Sequence, residues 1–386
     1  MYQGILTLVR SAINDVVLPL PDGFSLEEAE ALIQEQVMLP MVYVGARRCG
    51  IACDTPVMQR FRTRYFLTLQ KSEKQLRAVQ EIFRAFEENS IDYMPLKGCN
   101  LKQLYPLPEL RIMGDADILI RTEQYDKIKP IMQKLGYEEA GESSYDFCWR
   151  RQDLYVELHK RLYGPNQADL TRYFGIGWHL ANPGEGYRFY MRAEDEYAYV
   201  FCHMMKHFRF SGIGARQIID LYVFRHAHPE MDETEVERIM THLKLLDFYC
   251  NIRKLLSVWL DGENSDRLTD VMTEYVFKSG SFGTEHNKLY AEELLRANKG
   301  TRHARGKSFV SALFPRMRDL QLSYNVLYRY PVLIPLFYVV RWFDILINRR
   351  KNIKRKMNII MGMSDEKVDD HQRLMNAMGL EYDYEE

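Results

Sequence analysis

The sequence shows no excess of charge of either sign, no paired cysteines and no apolar run long enough to cross a bilayer. Its 386 residues carry 52 Lys and Arg against 53 Asp and Glu. Bulk charge therefore selects neither nucleic acid nor an acidic partner, and nucleic acid is the least expected substrate. The six cysteines, Cys49, Cys53, Cys99, Cys148, Cys202 and Cys250, are scattered. Cys49 and Cys53 lie nearest each other, and nothing around them completes a zinc set, so reduced thiols in a cytoplasmic chain are expected. The start, MYQGILTLVRSAINDVV, lacks the charged block, apolar block and small-residue cleavage site of a secretory signal. The uncharged run from Tyr330 to Val340 is eleven residues, broken by Pro331 and Pro335, where a membrane span needs about 20. No fixed-period repeat or low-complexity tract appears, which excludes solenoids and repetitive tails. What remains, 46% hydrophobic and 27% charged, is the composition of a folded soluble protein. Its length suits two or three domains.

Residues 1–90 read as helical. Ser25 followed by Glu28 suggests a capping box, and Pro40 is expected to end or kink the helix that follows. In RYFLTLQKSEKQLRAVQEIFRAFEENS, Leu76, Val79, Ile82, Phe83 and Phe86 recur at spacings of three and four, predicting a long amphipathic helix. The pattern then changes. IDYMPLK predicts a strand, and CNLKQLY a short helix stopped by Pro106 and Pro108. ADILI predicts a strand, and RTEQYDKIKPIMQKLGY a helix capped by Thr122 and stopped at Gly136. YEEAGESSYDFCWRRQDLYVELHKRL predicts two strands joined near Arg151-Gln152-Asp153. From about residue 190 helices return. The expected class is α+β, a small mixed-sheet unit flanked by helical regions. The expected divisions are an N-terminal helical region (1–75), an α/β core (76–165), a C-terminal helical domain (166–310) and an aromatic and basic helical segment (311–386).

The chemistry concentrates between Tyr93 and Ile120, YMPLKGCNLKQLYPLPELRIMGDADILI. On a strand, Asp115 and Asp117 point to one face and Ala116 and Ile118 to the other. Two acids so placed repel each other, and a cation is the usual remedy. If the strand of Glu157 lies beside that of Asp115, three carboxylates converge and suit one or two Mg²⁺ or Mn²⁺ ions, which would align a hydroxyl and neutralise a leaving pyrophosphate. The plainer alternative is a Gly-Asp turn and a solvated Asp117. Lys97-Gly98, between strand and helix, lets backbone and ammonium approach phosphate, or is merely a turn.

In order and kind, these pieces resemble the nucleotidyltransferase superfamily, the polymerase-β-like fold. More closely, PLKGCNLKQLYPLPELRIMGDADILI, LGY, VELHKRL and the helical HMMKHFRFSGIGARQIIDLYVF are similar to the family of uncharacterised nucleotidyltransferases, whose members are often encoded among polysaccharide-assembly genes. The resemblance spans roughly residues 25–345. It implies Gly98 as the turn glycine, Asp115 and Asp117 as the metal pair and Glu157 as the third acid. The superfamily usually has Gly-Ser or Gly-Gly at the turn, and this chain has Lys97-Gly98-Cys99. Either Lys97 and backbone amides replace the serine's phosphate contact, or the nucleotide sits differently, or transfer is lost.

Around this core, Arg111 is a candidate to bind phosphate or to pair with Asp115, with a surface arginine as the plain alternative. His159 shares the face of Glu157 and is a candidate to orient it, bind phosphate or act as a base. His203 and His207, four apart on a helix, suit a metal pair, a cleft wall or an ordinary core. Arg216 and Asp220 suit a helix staple, or an arginine reaching phosphate. The apolar stretch followed by Arg349, Arg350, Lys351, Lys354, Arg355 and Lys356 has the pattern of an interfacial helix on anionic membrane, or of a packed helix with a solvated basic end. The expected activity is Mg²⁺-dependent nucleotidyl transfer from a nucleoside triphosphate to a hydroxyl acceptor. Two rivals are a non-catalytic scaffold at a membrane face and a metal-dependent glycosyltransferase, the latter disfavoured because only about 90 residues look α/β.

Overall fold

The computed structural model describes residues 1–298 except 153, 165–166 and 282, and beyond them 317, 320, 326–347, 359 and 364–381. Two compact units emerge: residues 1–208 with 212–281, and residues 209–211 with the described residues from 283 onward.

The first unit opens with helices α1 (Tyr2–Asn14), α2 (Leu26–Glu35), α3 (Leu39–Arg48) and α4 (Pro56–Glu88). Ser25 caps α2, accepting a hydrogen bond from the Glu28 amide at 3.3 Å. Pro40 does not end a helix. It stands in the first turn of α3, where its missing N–H costs nothing and its fixed φ suits helix entry. The chain between the two helices turns at Val37, which has φ 55°. Buried Gln36 ties this corner down: its Nε2 donates to the carbonyls of Val276 and Phe277, and its Oε1 accepts from the Ala215 amide.

Next come β1 (Tyr93–Leu96), α5 (Gly98–Leu104), β2 (Asp115–Ile120), α6 (Tyr125–Lys134), β3 (Glu138–Glu142), β4 (Asp146–Arg151) and β5 (Leu154–His159). Thr122 does not cap α6: a short 3₁₀ turn, Thr122–Gln124, precedes it, and Gln124 holds the cap position without a side-chain bond. The stretch from Glu138 to His159 forms three strands rather than two, because Ser143 turns the chain and accepts from the amides of Tyr145 and Asp146. The β4–β5 connection bends at Gln152, φ 46°, and Asp153 lies outside the described residues.

The five strands form one mixed sheet in the order β1-β2-β5-β4-β3. Only β2 and β5 are parallel, and α6 with the β3–β4 hairpin supplies the long connection a parallel pair requires. One face of the sheet carries Ala116, Ile118, Ile120, Val156 and Leu158. It is covered by Val79, Ile82, Phe83 and Phe86 of α4 and Ile128 and Met132 of α6. Each such buried side chain contributes about 1.5–3 kcal/mol. The other face is left for the site.

Helices α7 (Ala168–Phe174), α8 (Ala193–Phe210), α9 (Ala215–Ala227), α10 (Glu233–His242), α11 (Leu246–Leu256) and α12 (Arg267–Ser279) follow, with a two-stranded sheet, β6 (Ala181–Pro183) and β7 (Phe189–Met191), before α8. In the second unit α13 spans Glu285–Asn298, and further helices span Ile334–Ile347 and Asp365–Ala377. No helix among the described residues is long and apolar enough to cross a membrane. The basic cluster from Arg349 to Lys356 lies outside the described residues.

Candidate active site

Parallel pairing sets Asp117 opposite Glu157, Asp115 opposite Tyr155 and Leu119 opposite His159. Because side chains alternate along a strand, Asp115, Asp117, Glu157 and His159 share the face turned away from α4 and α6. Together they line a cavity of about 550 Å³, whose other walls come from the β1–α5 turn, α8 and α9.

Asp117 is buried, and its Oδ1 meets two groups at once: Lys97 Nζ at 2.7 Å and His159 Nε2 at 2.8 Å. Burial opposes the carboxylate charge, yet Lys97 and His159 outweigh it and hold Asp117 well below the ordinary range. Burial likewise opposes the Lys97 ammonium, and Asp117 holds it above the usual lysine value. His159 Nδ1 is buried without a hydrogen-bond partner among the described residues. Lys97 adopts φ 41° and ψ −112°, backbone that glycine reaches readily and other residues only under strain.

Asp115 and Glu157 behave oppositely to Asp117. Burial and the neighbouring Asp117 raise Asp115, and burial with Asp117 and Asp115 pushes Glu157 up to about 7. Glu157 is 24% exposed. From its ordinary 4.5 to about 7 the folded chain binds more protons than the unfolded chain, so this residue costs stability increasingly as pH rises through that window. Glu157→Gln should therefore be more stable than wild type at pH 8 by up to about 3 kcal/mol, and equal to it near pH 4.5. Urea denaturation in divalent-free buffer at both pH values checks this.

The facing wall carries two cations, Lys206 and Arg216, and two imidazoles that burial keeps neutral. His203, Lys206 and His207 project from α8 and Arg216 from α9. The His203 and His207 rings are 4.8 Å apart. Burial, reinforced by Lys97, brings Lys206 down to about 8; burial and Lys206 bring His207 down to about 4; and His203 falls well below the histidine range. Burial and Arg111 also disfavour the Arg216 charge. An anion in the pocket would relieve all four. His203 and His207 thus line the cleft. Among the described residues the three-residue group suited to a metal is Asp117, Glu157 and His159, whose ligand atoms lie within 4.8 Å of one another.

Arg111 pairs with Asp220 rather than with Asp115: its Nε donates to Oδ1 at 2.7 Å and its Nη2 to Oδ2 at 3.0 Å. Tyr105 Oη also donates to Asp220, at 2.7 Å. Asp220 is thereby taken, and Arg216 donates instead to the Ile112 carbonyl at 2.8 Å, so the expected Arg216–Asp220 staple gives way to a longer-range bond. Gly98 is tightly approached: a Cβ there would meet Arg111 Nη1 at 3.0 Å and Met113 Cγ at 3.1 Å, so these side chains would have to give by a few tenths of an ångström.

Lys206 and the aromatic lining residues Tyr145 and Tyr163 were not singled out from sequence. For Lys206 a signal existed: it lies three residues after His203 and so shares its helical face. Tyr145, in the β3–β4 turn, carried none.

A hard divalent cation fits the donor set. The donors of that group are two carboxylates and an imidazole, with Asp115 on the same face of β2, and a cation there would offset the burial and the neighbouring acids that lift Glu157 to about 7. A family model described as uncharacterised nucleotidyltransferase matches residues 22–261. No curated protein matches the chain. A solved structure, the solution structure of the antibiotic-resistance factor ANT(2'')-Ia, aligns at 12% identity and a TM-score of 0.32, covering 50% of this chain and 100% of that one.

Proposed function

The chain belongs to the uncharacterised nucleotidyltransferase family, and from that premise we propose that it moves a nucleotidyl group from a nucleoside triphosphate to a hydroxyl acceptor, in the cavity over β2 and β5. The observation that carries this reading is the opposition of two walls: carboxylates brought together by the parallel β2–β5 pair, and cations presented by α8 and α9. Asp115, Asp117 and Glu157 would hold a divalent cation, Mg²⁺ or Mn²⁺, whose charge would offset that of the leaving pyrophosphate. Lys206 and Arg216 hold phosphate oxygens from the opposite side, within a pocket that screens them little. Glu157, ionised, takes the acceptor's proton while the acceptor oxygen bonds the α-phosphorus and the bond to pyrophosphate breaks. His159 fixes Asp117 from within the sheet. Arg111 acts as a positioning residue: Asp220 holds its Nε and Nη2, and its Nη1 lies against the Gly98 turn.

The Lys97–Asp117 pair is the observation that favours the non-catalytic alternative, because it sets an ammonium on a metal-binding acid. The mixed sheet, with a single parallel pair, remains unlike the larger parallel sheet of a glycosyltransferase. Calorimetric titration with ATP, GTP, CTP and UTP separates the first two readings. At least one should bind in a Mg²⁺-dependent manner. A folded protein that binds none of the four would mark a non-catalytic member. The link to polysaccharide assembly stands on the family resemblance alone and sets the first acceptors to try, sugar hydroxyls.

A further inference from the structure

Lys97 stands where the backbone disfavours a side chain, and the consequence of keeping one there is an ammonium fixed inside the acid cluster. It adopts φ 41° and ψ −112° between β1 and α5, and its side chain is 15% exposed. Its Nζ lies 2.7 Å from Asp117 Oδ1, the oxygen that His159 Nε2 approaches at 2.8 Å. Asp117 neighbours both other acids, Asp115 two residues before it on β2 and Glu157 across the parallel pair. One of its two oxygens is already committed, to Lys97 and His159. Charge points the same way. Three carboxylates carry three negative charges, Lys97 cancels one, and the remaining two match one divalent ion rather than a pair.

Building on the metal site of the proposed function, we propose that Lys97 is a built-in cation that takes the place of a second metal, so that the cluster accepts one divalent ion per chain.

Mn²⁺ titration of the full chain at pH 8, counting free ion by electron paramagnetic resonance, tests this. Wild type should bind one Mn²⁺. Lys97→Met, which keeps the stem and loses the charge, should bind two, the second more weakly. Lys97→Gly, which suits the backbone at this position, should also bind two and carries the test if the methionine variant does not fold, folding being checked by circular dichroism. Two ions bound by wild type, or a single ion bound by both variants, would overturn the role given to Lys97 and leave the metal site standing. No Mn²⁺ bound by wild type would remove the metal site itself, and this inference with it.

Discussion

Asp115→Ala should lose Mg²⁺-dependent nucleotidyl transfer by about 10²–10³-fold and remain fully folded. On the proposed function the loss follows from removing one oxygen donor from a metal that would supply several kcal/mol of charge stabilisation, each 1.36 kcal/mol being a tenfold change in rate. The unchanged fold follows from the residue's surroundings. Asp115 is half-buried, and both burial and Asp117 disfavour its charge, so its removal relieves repulsion. The thermal midpoint should stay level or rise. Asp117→Ala would be a poorer probe, because it strips the counter-charge from Lys97 and the partner from His159, both largely enclosed. Pyrophosphate release, triphosphate calorimetry and thermal unfolding on one preparation check the prediction. Full activity in Asp115→Ala would remove the residue from the site.

Asp220→Ala should have the largest effect on stability, about 3–5 kcal/mol. The Asp220 carboxylate is 3% exposed and receives Arg111 through two bonds and Tyr105 through a third. Arg111 and Tyr105 are themselves 6% and 3% exposed, so truncation leaves a guanidinium and a hydroxyl enclosed with nothing to meet them. For a unit of this size the loss corresponds to a fall in thermal midpoint of about 6–20 °C. Asp220→Asn, which keeps an acceptor but not the charge, should fall in between. The damage should reach the pocket, since Lys102 Nζ donates to the Arg111 carbonyl at 2.6 Å and Arg111 Nη1 lies against Gly98. Thermal unfolding with triphosphate calorimetry checks both effects. A midpoint within a degree or two of wild type would show that the buried pair is replaceable.

Much of this arrangement was legible before any coordinates. Period-two alternation places Asp115 with Asp117 and Glu157 with His159. Apolar spacing of three and four marks α4 as a core helix, and the Ser25 cap is visible as a residue type at the right distance from its amide. The local misreadings had local causes. Pro40 begins α3 because a proline suits a first turn as well as it spoils an interior one. The extra strand, β3, was hidden because its residues EEAGE are all exposed and carry no apolar alternation to set it apart from β4.

Alternation tells which side chains share a face of one strand, and helical spacing which share a face of one helix; both are local periods, and the chain carries them in its own order. Which strands lie side by side is another matter. The parallel β2–β5 pair joins residues some forty positions apart, and it alone turns two pairs of like-facing residues into one cluster. Arg111 illustrates the same divide. Its type and nearness to Asp115 suggested a phosphate or that acid, but burial demanded a charge partner, and the partner within reach was Asp220, on a helix 109 positions away. The facing wall of α8 and α9 likewise exists only because the helices close over the sheet. Chain order prescribes the faces, and packing, by deciding which buried charges must meet, assembles the site.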